Sequence, residues 1–119
     1  MLEPQQIDLT IYQGATFKRE WTVSRVSDGA PYSLTGWTGR MHIRPKKTSD
    51  ILFIELTTEN GGVEIETTLE ESKYTIYISS VQTAALQLKG VYDLELIDPQ
   101  GEVIRIQEGK VLLSMEVTR

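Results

Sequence analysis

The chain has no cysteine, which removes disulfide staples, thiolate zinc sites and cysteine nucleophiles together. It has one histidine, His42, so a transition-metal site would have to draw its other ligands from carboxylates, and none lies close in sequence. Long apolar runs are missing too, since no stretch approaches the length that crosses a bilayer. The opening MLEPQQIDL carries neither a basic n-region nor an apolar h-region, so no signal peptide is expected. Basic charge is not in excess. The net charge of -5 argues against nucleic-acid binding through a basic surface and favours solubility. No glycine-rich phosphate loop, nucleophile elbow or HExxH occurs. An enzyme is not expected, and neither is a cofactor or a metal.

What is present is period-two alternation along nearly the whole chain, over 119 residues that fit one domain, 1–119, with a short N-terminal arm from Met1 to Gln6. The hydrophobic share of 39% and the mean hydropathy of -0.23 suit a thin two-layer fold with wet outer faces. Ile7, Leu9 and Ile11 alternate with Asp8, Thr10 and Tyr12. Phe17, Trp21 and Val23 share a face that Arg19 interrupts, as at a sheet margin. Trp37, Gly39, Met41 and Ile43 point inward against outward Thr38, Arg40, His42 and Arg44. Gly39, inside a strand, marks a bulge or a close approach.

Ile51 to Ile54 is apolar on both faces, like a strand covered on both sides or one that meets a partner. Asn60-Gly61 has the composition of a hairpin turn. Tyr74, Ile76 and Ile78 form an inward set, and Val81 to Leu88 is the only segment that reads as helical. Tyr92, Leu94 and Leu96 then face inward with Asp93 and Glu95 outward. Asp98-Pro99-Gln100-Gly101 reads as a type I or II turn. Glu108-Gly109 reads as a bulge between two last strands. The pattern predicts an all-β, immunoglobulin-like β-sandwich of about eight antiparallel strands.

Several constellations bear on function. His42 is either a base or metal ligand, or a solvated sheet residue between two arginines, and the second reading is the one its surroundings favour. The many carboxylates alternate with apolar residues, as a wet sheet face requires. Outward Arg40, His42 and Arg44 are expected beside Asp93 and Glu95 as an ion-pair ladder, each pair contributing about 0.2–1 kcal/mol. Tyr92 stands where a tyrosine corner would fix a sandwich loop by bonding its hydroxyl back to the backbone, or is an ordinary core tyrosine. The apolar Ile51–Ile54 run and Leu112-Leu113 are read as inter-subunit contact or as core and edge packing.

The series Asp28-Gly29-Ala30-Pro31-Tyr32-Ser33-Leu34-Thr35-Gly36, followed by Met41-His42-Ile43-Arg44, resembles the opening of a family of tailed-phage virion domains. These are the immunoglobulin-like N-terminal domains of the baseplate-upper-protein type. Val63-Glu64-Ile65, Gly90-Val91-Tyr92-Asp93-Leu94-Glu95-Leu96 and Asp98-Pro99-Gln100-Gly101 continue the likeness in step, so that it runs from Gln13 to Val117. The resemblance implies an immunoglobulin-like fold, no catalysis, and a virion adaptor or connector joining tail, baseplate or neck to fibres.

Its partners would be other virion proteins, with a homo-oligomer in the assembled particle, no nucleic acid and no membrane. Its place would be the virion, assembled in the host cytoplasm. The family's long fibre-forming continuation does not follow Arg119, which favours a small separate subunit. The expected contact residues are Met1, Leu2, Ile51, Phe53 and Leu112. Capsid or tail decoration is an alternative. A carbohydrate-binding or adhesion module is another, with Tyr12, Tyr32 and Tyr77 as candidate aromatics.

Overall fold

A computed structural model describes residues 4–24 and 32–118. The strands are β1 (Gln5–Gln6), β2 (Leu9–Tyr12), β3 (Phe17–Val23), β4 (Thr38–Arg44), β5 (Ile54–Thr57), β6 (Val63–Thr67), β7 (Ser72–Ile78), β8 (Gly90–Ile97) and β9 (Val103–Ser114). One short helix, α1 (Ser80–Ala85), follows β7. The strands form an all-β sandwich of two sheets. The larger has β9, β8, β4 and β5 in order, with β1 and β2 both on the free side of β9. The smaller runs β3-β7-β6.

The alternation explains which sheet face is buried. Met41, Ile43, Leu94 and Leu96 from the larger sheet meet Val63, Ile76 and Ile78 from the smaller, each 1% exposed or less. Gly39 lies on this inner face because the sheets come too close there for a side chain. A Cβ on it would stand 2.8 Å from Val63 Cγ1. Arg19 is exposed over the Trp21 ring, 5.5 Å from its centre, on β3 at the margin of the smaller sheet.

Five expectations are corrected. The pairing is not wholly antiparallel, since β1 and β2 run parallel to β9. Parallel neighbours need no tight turn, and strands near opposite ends of the chain can meet this way. Within the expected arm, Gln5 and Gln6 are therefore sheet residues. The Ile51–Ile54 run is not a strand covered on both sides: β5 begins only at Ile54, and Ile51 and Leu52 are 60% and 41% exposed.

Asn60-Gly61 joins no hairpin but carries the chain from one sheet to the other. Asn60 Oδ1 accepts from the Thr57 and Gly62 amides at 2.9 Å each. The last two strands are one, β9, and its bulge falls at Ile106, where the register passes from Leu94–Gln107 to Glu95–Arg105. Gly109 stays paired with Tyr92.

The turn from β8 to β9 is type I. Type II would need positive φ at Gln100, and no described non-glycine residue has it. Gly101, at φ 87, completes the turn, and Asp98 Oδ1 accepts from the Gln100 and Glu102 amides. Helix α1 opens with a capping box in which Ser79 and Gln82 bond each other's backbone amides.

Candidate functional site

The outer face of the larger sheet collects the charged residues singled out in the sequence. Register places Arg40 opposite Glu95, His42 opposite Asp93, and Arg44 opposite Val91. Arg40 Nε holds Glu95 Oε1 at 2.7 Å, so one rung of the expected ladder forms. The others do not. Asp93 turns to Arg105 at 3.6 Å, and Arg105 also meets Glu108 at 3.1 Å. His42 Nε2 lies 2.9 Å from Glu55 on β5.

Arg44 Nη2 donates to His42 Nδ1 at 3.2 Å, and its Nη1 faces the Ser49 and Ile51 carbonyls at 3.4 Å each. A guanidinium only donates, so Nδ1 is the acceptor and the neutral ring carries its proton on Nε2, directed at Glu55. The result is a chain of donors from Arg44 through His42 to Glu55. Arg40, His42, Arg44, Lys47, Val91, Tyr92, Asp93, Glu95 and Arg105 line a shallow depression of about 380 Å3 on this face.

The Tyr92 hydroxyl is bonded to the backbone, as a corner requires, but at a place other than a corner's. It donates to the Ile7 carbonyl at 2.6 Å, in the segment between β1 and β2, and not to the loop just before its own strand. It also accepts from Gln107 Nε2 at 2.9 Å, while Gln107 Oε1 accepts from the Tyr74 hydroxyl at 2.7 Å. Tyr74 belongs to the smaller sheet, so this buried chain ties both sheets to the N-terminal segment. Burial pushes the Tyr92 pKa up to about 12, and burial followed by the Tyr92 charge raises that of Tyr74.

The expected contact residues are scattered. Met1 and Leu2 lie outside the described residues. Ile51 is exposed beside Phe53, which packs partly against the core and donates its amide to the Ile43 carbonyl at 2.8 Å. Phe53, Leu86 and Leu88 help to line a second depression of about 390 Å3 against α1. Leu112 is 44% exposed on β9, far along the chain from Ile51 and Phe53.

The candidate tyrosines form no single platform. Tyr12 and Tyr77 are exposed on different sheets, and Tyr32 packs edge-on to Trp37. Among the described residues, no three histidine or carboxylate side chains gather as metal ligands would.

Sequence reasoning missed Glu55, Arg105, Gln107 and Tyr74 as partners. Glu55 was legible in principle, since it alternates outward between Ile54 and Leu56. Arg105 and Gln107 were not, because the Ile106 bulge alone brings Gln107 into line with inward Leu94. No family model matches the chain, and no curated protein matches its sequence.

Proposed function

We propose that the protein is a non-enzymatic structural protein of a tailed-phage virion, an immunoglobulin-like adaptor that joins tail, baseplate or neck to fibres. The sheet arrangement supports the fold half of this reading. Strands β4, β8 and β9 share one sheet with an added strand beside β4, and β3, β7 and β6 share the other, as in sandwiches of that kind. Of the residues that carry the phage-domain resemblance, Gly36 has φ 81, Gly90 opens β8, Asp98 to Gly101 form the β8–β9 turn, and Asp28 to Pro31 lie outside the described residues.

The observation that carries the functional half is the Ile51-Leu52 ridge. It is exposed, apolar and adjacent to the depression at Phe53, Leu86 and Leu88, a surface suited to protein contact. Peptide mass spectrometry of gradient-purified tailed particles from the source culture tests the proposal. The chain is expected at a fixed ratio to tail proteins. Its absence from intact particles, or a ratio fixed to capsid protein alone, rejects the adaptor reading.

A further inference from the structure

On the outer faces Lys73, Arg40 and Arg105 meet acids. Lys73 has Glu20, Glu71 and Glu66 at 3.6, 3.8 and 3.9 Å, and they raise its pKa, Glu20 most. Arg40 and Arg105 have Glu95, Asp93 and Glu108. Arg44 and Lys47 differ. They line the same depression, and among the described residues neither has a carboxylate at ion-pair distance.

Register explains why Arg44 has none. Across the sheet from it stand Val91 and then Lys110, so its row is cation, apolar, cation. Arg44 is nevertheless held in place, by His42 at 3.2 Å and by two long carbonyl contacts. Its Nε–H and the rest of Nη2 remain to donate. The field of Lys47 is felt as far as Glu108 on β9. After the Gln6 amide and the Arg105 bond, it helps hold the Glu108 carboxyl below its ordinary range.

We propose that this end of the depression is a site for a single oxyanion, a carboxylate or a phosphate, clamped between the Arg44 guanidinium and the Lys47 ammonium beside Val91. A guanidinium already fixed by its neighbours loses little freedom on binding, and its planar fork matches both anions. In a chain of net charge -5, such a spot selects by local field and not by overall attraction. The inference stands on Arg44 and Lys47 alone and does not depend on the virion reading.

The test is an NMR titration of the full chain with inorganic phosphate and with acetate, ionic strength held constant with chloride. Saturable shifts are expected at Arg44 Nε and at the Lys47 and Val91 amides. Arg44→Gln should weaken the tighter anion by about tenfold or more, the loss of one charge-assisted bond. Lys47→Gln, on an exposed loop where folding is not at stake, should weaken it several-fold. Tighter phosphate points to a phosphoryl-bearing ligand, and tighter acetate to a protein carboxylate. Equal shifts with chloride alone, or unchanged binding in Lys47→Gln and in a folded Arg44→Gln, would overturn the proposal.

Discussion

At the scale of single residues, Gln107 does the most for the interior. It is fully buried, and it accepts from the Tyr74 hydroxyl while donating to the Tyr92 hydroxyl, which itself donates to the Ile7 carbonyl. Removing the Tyr92 hydroxyl strands the Ile7 carbonyl and one Gln107 hydrogen. Tyr92→Phe should therefore cost about 1–3 kcal/mol in denaturant unfolding, far more than an exposed tyrosine. A double substitution with Tyr74→Phe should be non-additive, because Gln107 links the two sites. The two hydroxyls also set an alkaline limit. Unfolded tyrosines titrate at about 10, whereas burial in the folded chain pushes the Tyr92 pKa up to about 12 and raises that of Tyr74 as well. Above pH about 10 the unfolded chain has released protons that the folded chain keeps, so stability falls as pH rises through that window. Denaturant midpoints should be level up to about pH 9.5 and decline above it, less steeply in Tyr74→Phe. A midpoint that holds steady to pH 12 contradicts this.

At the scale of elements, the docking of β1 and β2 on β9 is the most sensitive junction. A Cβ at Gly109 would stand 2.3 Å from the Ile7 carbonyl oxygen, which is the acceptor of Tyr92. Gly109→Ala should displace this segment at a cost of about 1–3 kcal/mol, with faster amide exchange at Leu9 and Ile11 than in the wild type. Unchanged exchange there would show that the segment tolerates the shift. Helix α1 is too short to stand alone, and its capping box and the Thr83 bond to the Ala15 carbonyl at 2.8 Å hold it. Ser79→Ala should cost about 1 kcal/mol in thermal or denaturant unfolding. Alternation and turn residues made most strands, helix α1 and the Asp98–Gly101 turn legible in the sequence, since each rests on local chemistry. The parallel pairing of β2 with β9, the sheet-changing corner at Asn60 and the Ile106 bulge were not legible. The first depends on contacts between segments about a hundred residues apart and the last on a one-residue slip that leaves no local signature, while an Asn-Gly turn reads the same whether the next strand joins the same sheet or the other. The same reason explains the half-formed ladder. The Arg40–Glu95 rung follows from β4 and β8 being neighbours, but the choice of Arg105 by Asp93 follows from the bulge.

At the scale of the molecule, the sandwich measures 46 × 29 × 25 Å and leaves its apolar ridge at Ile51-Leu52 outside. Ile51→Glu with Leu52→Glu should leave folding within about 0.5 kcal/mol of wild type, since both side chains already face solvent. On the virion reading it should abolish incorporation into particles, measured by the tagged chain's share in gradient fractions. Incorporation at the wild-type level would free the ridge of that role. The most direct test of the central claim is a cryo-electron microscopy reconstruction of the tailed particle. Density for a two-sheet sandwich of these dimensions is expected at symmetry-related positions on tail, neck or baseplate, with the Ile51-Leu52 ridge against a neighbouring protein. A complete particle with no such density, and the chain confined to the soluble fraction of the lysate, would contradict it.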